Sequence, residues 1–289
     1  MGTCRQACYA GGERGDGMRP QPNLAQYVAH MGPRLLASGS ELLLDEVLQV
    51  PLLDDMTVLE FNAGAGMLTQ KLDALTRDAG AELWVAEPDP TLLRFVPSKK
   101  KKPVRVCADV GELPFPDDQF DLVVGNAHFL DDKEAQRMLS HLHRTGRAGC
   151  QVLVSGFLQG SFDELFDLAA EAAEMEGDDI RLQALRRQQN ALLQPEQLTQ
   201  LAQKCGFTDV SVGVCERALF VAGGQALAED PLVTELLAPL WLGSAADHPG
   251  AKRTLQNVAE SIDTYFAEQS FSLRLVTGVL RAKKAAPRA

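Results

Sequence analysis

No stretch of the 289 residues approaches the ~18 consecutive apolar positions that a membrane helix requires. The opening MGTCRQACYAGGERGDGMRPQPN lacks the apolar core of a secretory signal and carries Gly, Arg and Asp instead, so export is not expected and a cytoplasmic location is. Basic charge is scarce as well. The 28 Lys+Arg are outnumbered by 39 Asp+Glu, and a net charge of −11 repels phosphate backbones and anionic bilayers, which disfavours nucleic acid and membranes as partners. The six cysteines show no C-x-x-C spacing, and Cys4 and Cys8 have no His or further Cys near them, so neither a disulfide frame nor a metal site is expected. A G-x-S-x-G elbow, an H-E-x-x-H pair and Ser-His-Asp spacing are all missing, which leaves hydrolase and zinc-enzyme readings without support. Composition is otherwise that of a folded globular chain, 45% hydrophobic and 23% charged, which excludes extended disorder.

Residues 1–22 have no apolar periodicity and read as a flexible leader, with a single domain over 23–289. Leu24, Tyr27, Val28 and Met31 recur at helical spacing, and Ser40 is placed to cap a second helix, so 23–50 reads as a pair of N-terminal helices. Five apolar, β-rich runs follow at 57–62, 82–87, 104–109, 121–126 and 151–158, separated by helix-like segments. That alternation predicts an α/β, doubly wound sheet whose parallel strands are covered on both faces. Two more strand candidates, starting at Asp209 and Phe271, bring the count to seven and predict an antiparallel end to the sheet. Between them, about 230–270 is too long for a hairpin loop and reads as an inserted helical cap over the ligand edge, removable without loss of the folded core.

The most informative stretch is Val58-LEFNAGAGMLTQKL: an apolar strand bearing Glu60, a turn with Gly64 and Gly66, then a helix start. Glycines there let the backbone approach a ligand, and the helix N-terminus offers unpaired N–H groups. Glu87 closes the next strand about 21 residues after Gly66, the spacing at which a nucleotide-binding sheet sets a carboxylate on a ribose. Asp109 follows the third strand. Each acid taken alone is equally well a solvated loop residue or a helix-terminus partner. Asp121 opens a strand rather than closing one and is assigned to structure.

VLEFNAGAG, WVAEPDPTLL and CADVGELPFPDDQFDLVVGNAHFL together resemble the class I S-adenosylmethionine-dependent methyltransferases of small-molecule type over about 35–220, the D-x-x-x-LPF-x-D-x-x-FD-x-V string being the most specific piece. The resemblance implies a Rossmann-like sheet with S-adenosylmethionine as cofactor. It places Glu60, Asn62, Gly64 and Gly66 at the methionine moiety, Glu87 on the ribose hydroxyls, Asp109 and the Val110 backbone at the adenine, and Asn126 beside them. The family writes acidic-x-Gly-x-Gly-x-Gly, whereas Asn62 stands here in the first glycine slot. Asn tolerates a left-handed backbone better than most residues.

Asn126, His128 and Phe129 end the fourth strand, where a transferred methyl would lie. His128 is a candidate general base, with packing under the next helix as its alternative. Tyr27, His30, Trp241 and Tyr265 are candidate walls of the substrate pocket, or core. Lys99–Lys102 reads as a solvated loop. The function expected is methyl transfer to a small or carrier-bound molecule by in-line displacement. Ser155-GFLQGSFDELFDL adds a short resemblance to the malonyl-carrier-protein methyltransferase of biotin synthesis. A non-catalytic pseudo-methyltransferase is the alternative that Asn62 suggests, and a nicotinamide oxidoreductase lacks the LPF string.

Overall fold

The computed structural model describes residues 27–96, 103–128, 130–234, 249–266 and 270–286. The leader expected over 1–22, Lys99–Lys102, Phe129 and Trp241 lie outside them, as do the side chains of Tyr27 and His30. A π-type helix, Tyr27–Leu36, runs directly into α1 (Ala37–Val47). There follow β1 (Thr57–Phe61), α2 (Met67–Ala79), β2 (Glu82–Glu87), α3 (Pro90–Leu93), β3 (Val104–Cys107), β4 (Phe120–Asn126), α4 (Asp132–Thr145) and β5 (Gly146–Phe157). The second half contains α5 (Asp163–Met175), α6 (Asp179–Gln189), α7 (Pro195–Lys204), β6 (Phe207–Val221), α8 (Gly224–Glu229), α9 (Pro249–Tyr265) and β7 (Phe271–Lys284). Ser40 is not a cap. It lies inside α1, because the preceding π-type turns already supply the carbonyl acceptors that an N-cap would replace.

The seven strands are ordered β3-β2-β1-β4-β5-β7-β6. β1 to β5 are mutually parallel, and β7 is antiparallel to both of its neighbours, as the sequence predicts. The central strands are buried on both faces: Val58, Leu59 and Phe61 of β1 and Leu122, Val123 and Val124 of β4 are all inaccessible. Leu59 and Phe61 meet α4 and α7 through Met138, Leu139, Leu142, Leu198 and Leu201. Val58 faces the other way, onto Leu43 and Val47 of α1 and Leu68 and Leu72 of α2. Each such side chain contributes about 1.5–3 kcal/mol by leaving water.

The LPF string is structural in detail. Phe115 stacks edge-on against both Trp84 and Phe120, with ring centroids 5.7 and 5.0 Å away. Arg144 of α4 donates to the carbonyls of Leu113 (2.8 Å) and Phe115 (2.7 Å), which fixes the loop that follows β3. Asp121 accepts from the Thr57 N–H (2.8 Å) and from Arg147 (2.6 Å), tying the starts of β1, β4 and β5 together.

The described residues between β6 and β7 pack against the body of the protein. α9 packs on α5 and α8, and Val258, Ile262, Leu232 and Val233 share one buried cluster with Phe157, Phe162, Phe271 and Leu273 at the ends of β5 and β7. Polar ties reinforce it: Arg34 pairs with Asp230 at 2.7 Å, and Glu176 accepts from Arg181, Arg253 and Asn257. Asp263 accepts from the Gly224 and Gln225 N–H groups at the start of α8. The physical reason is apolar content. Among the described residues, Leu232, Val233, Val258 and Ile262 are buried in that shared cluster.

Candidate cofactor site

The carboxyl edge of β1 turns through Asn62, Gly64 and Gly66, and all three have left-handed backbones, with φ of 48°, 57° and 84°. Glycine takes this geometry freely, whereas Asn is among the few other residues that take it at low cost. Asn62 also gains something glycine lacks, since its side-chain amide donates to the Asn126 carbonyl at the end of β4 (2.9 Å). The turn is further closed by Gly66 N–H to Ala63 O (3.0 Å), and Gly66 sits at the N-cap of α2. β1 and β4 approach so closely here that a Cβ on Gly125 would lie 2.3 Å from the Phe61 carbonyl oxygen.

Two acids face this turn. Glu87, the last residue of β2 and 4% exposed, accepts from the Gly64 N–H (2.7 Å) through one carboxylate oxygen and from the Asp89 N–H (3.0 Å) through the other. Burial raises its pKa, and the two amides offset part of that rise. Glu60 is 1% exposed, and neither of its carboxylate oxygens has a hydrogen-bond partner among the described residues. Burial pushes its pKa up to about 8; Thr69 in the first turn of α2 is near enough to lower it in part, and Glu87 raises it further. A buried carboxyl with no well-formed hydrogen bond, a left-handed cradle and a helix N-terminus together fit an amino-acid-bearing nucleotide ligand, whose ammonium complements that carboxyl.

Asp109 is exposed after β3 and caps the short turn Val110–Glu112 by accepting from the Gly111 N–H (2.7 Å). It lies near enough to Glu87 to raise that group's pKa, which brings Asp109 and Val110 to the same edge. Asn126 joins this edge to a second polar cluster. Its side-chain oxygen accepts from the buried Ser155 hydroxyl of β5 (2.6 Å), and its amide reaches the Ser40 hydroxyl of α1 at 3.5 Å. Gly39 lets α1 come this close, because a Cβ there would lie 2.7 Å from the Ser155 hydroxyl oxygen. His128 is half-buried, its ring tilted on Phe157 with centroids 4.8 Å apart.

Tyr265 stands apart from this group, 69% exposed on the last turn of α9, and no described contact joins it to the two acids. Gly39, Ser155 and Thr69 are participants that sequence reasoning passed over. Small residues in a helix and a strand have no signature until tertiary contact reveals their neighbours, although Thr69, three residues after Gly66, falls in the first helical turn where such a contact is expected.

Residues 58–149 match the family described as a methyltransferase domain. Over that stretch the chain is similar to methyltransferases. The chain is 31% identical over 128 residues, 43% of its length, to the malonyl-[acyl-carrier protein] O-methyltransferase of Halorhodospira halophila. It is 31% identical over 109 residues, 38% of its length, to the protein of the same name from Pseudescherichia vulneris. The matches span 41% and 42% of those relatives. A candidate methyltransferase from Bacillus halodurans shares the fold, with a TM-score of 0.54 and 14% identity over 84% of this chain and 99% of that one. The turn that departs from the acidic-x-Gly-x-Gly-x-Gly pattern is left-handed at Asn62 as it is at Gly64 and Gly66.

Proposed function

We propose that the chain transfers a methyl group from S-adenosylmethionine to a carboxylate on a small or carrier-bound acceptor. The observation that carries this reading is the pairing of the left-handed turn at 62, 64 and 66 with two buried acids, Glu60 and Glu87. Glu87 serves the ribose hydroxyls, whose charge-assisted bonds replace those it now makes to backbone amides. Glu60 faces the methionine end, and the Asp109–Val110 turn borders the adenine. When bound, the cofactor supplies an electrophilic methyl on a sulfonium.

The protein's own work is to hold the acceptor oxygen in line with that methyl at about 3–3.5 Å and to exclude water. The cluster of Asn126, Ser155 and Ser40 presents hydroxyl and amide groups at the ends of β4 and β5, while Phe157 and the α9 core wall the site. A carboxylate acceptor is already anionic at neutral pH, so the C–S bond breaks and the C–O bond forms without a proton to remove. This suits a site in which His128 packs on Phe157. The malonyl-carrier substrate in the names of both curated relatives is the acceptor to try first. A net charge of −11 favours a dissolved cytoplasmic acceptor over a nucleic acid, and no described helix is long and apolar enough to cross a membrane.

A thermal-shift titration tests the reading. S-adenosylmethionine and S-adenosylhomocysteine are expected to raise Tm with concentration, and NAD to leave it unchanged. Stabilisation by NAD alone would replace the reading with an oxidoreductase.

A further inference from the structure

Glu60 and Glu87 lie on neighbouring parallel strands, and the ladder pairs Glu60 with Val85. Glu87 is two residues beyond Val85, so both side chains stand on the same face of the sheet, one diagonal step apart. Their surroundings differ sharply. Each oxygen of Glu87 accepts one well-formed backbone N–H bond, whereas neither oxygen of Glu60 accepts a well-formed bond and only the Thr69 hydroxyl and N–H lie near enough to lower its pKa. Among the described residues packed on β1, β2 brings the one charge that reaches Glu60, that of Glu87; α2 brings the Thr69 hydroxyl and backbone N–H, and β4 brings Val124 alongside in register. Asp89 and Asp109 act on Glu87 from its far side. Two like charges in one buried site disfavour double ionisation, and the proton stays on the more deeply buried, less firmly hydrogen-bonded carboxyl.

We propose that Glu60 holds the proton of this carboxyl pair in the ligand-free protein and releases it when a ligand carrying an ammonium group enters, so that cofactor binding is coupled to pH through Glu60 while Glu87 stays ionised. The proposal rests on the reading of this edge as the S-adenosylmethionine site. The step balances simply: the Glu60 O–H bond breaks, its proton passes to solvent, and the carboxylate left behind is neutralised by the incoming ammonium. The raised pKa of about 8 agrees with the geometry and sets the window. At pH 7 a group of that pKa is about nine-tenths protonated, so nearly one proton is available to leave.

Calorimetric titration with S-adenosylhomocysteine at pH 7, repeated in two buffers of different ionisation enthalpy, counts the protons released. Nearly one is expected from the wild-type protein. None is expected with 5′-methylthioadenosine, which keeps the nucleoside and lacks the ammonium, and none from Glu60→Gln with S-adenosylhomocysteine. Buffer-independent binding of S-adenosylhomocysteine by the wild-type protein overturns the proposal and leaves the cofactor reading standing; a proton released by Glu60→Gln overturns it equally. Absence of any binding overturns the cofactor reading and the proposal with it. A ligand-free measurement gives an independent check. The native pKa lies above the unfolded value, so the stabilisation is complete below the ordinary carboxylate range and is lost as pH rises toward about 8. Wild-type Tm is expected to fall over that interval more than that of Glu60→Gln, and equal slopes count against the proposal.

Discussion

The carboxyl edge of the sheet is finished in two different ways. On the β1–β2–β3 side, short turns bring together backbone amides, left-handed residues and the buried carboxyls of Glu60 and Glu87. On the β5–β7–β6 side, the edge is covered by a second core in which Phe157, Phe271 and Leu273 meet α5 and α9, pinned by Arg34–Asp230 and by the bonds to Glu176. Recognition by backbone and buried acid leaves little freedom in residue type, because each position is tied to one φ or one charge. Recognition by apolar packing leaves wide freedom, since any side chain of similar volume serves.

Three changes sharpen that contrast. Replacing 230–270 by a short turn is expected to prevent stable folding, because Leu232, Val233, Val258 and Ile262 leave a shared core worth about 1.5–3 kcal/mol per side chain. Circular dichroism and thermal melting check this, and a well-folded, cofactor-binding product would return the segment to the status of a cap. Asn62→Val is expected to strain the turn by about 1–3 kcal/mol and to weaken S-adenosylhomocysteine accordingly, because a β-branched residue resists a φ near 48°. Asn62→Gly is expected to have the smallest effect, relaxed backbone offsetting the lost bond to the Asn126 carbonyl, which is worth about 0.5–1.5 kcal/mol. Wild-type affinity in Asn62→Val, read by the same titration, would mean that the left-handed turn does not matter to the ligand.

The same contrast explains what the amino-acid sequence made legible. The positions of β1, β2 and β4, the antiparallel β7 and the structural role of Asp121 follow from continuous apolar runs and their punctuation, which is a local signal. The placement of Glu60, Glu87 and the glycine turn at strand ends was legible from their spacing, whereas their cofactor roles come from the family resemblance. Ser40 misled, since a serine before a helical run is indistinguishable in sequence from one inside a longer run. The roles of Gly39 and Ser155 depend on an α1–β5 approach across more than a hundred residues of chain, and the burial of Val258 and Ile262 depends on α5. Neither leaves a local trace.

The central claim, that the β1–β2 edge holds S-adenosylmethionine through Glu87, is tested most directly by calorimetric titration of S-adenosylhomocysteine into wild-type protein and Glu87→Ala. Loss of the carboxylate removes the acceptor for the ribose hydroxyls and costs about 1.5–3 kcal/mol, so the wild-type protein is expected to bind and the variant to bind roughly ten- to a hundredfold more weakly. An unchanged Kd in a folded Glu87→Ala protein would contradict the account.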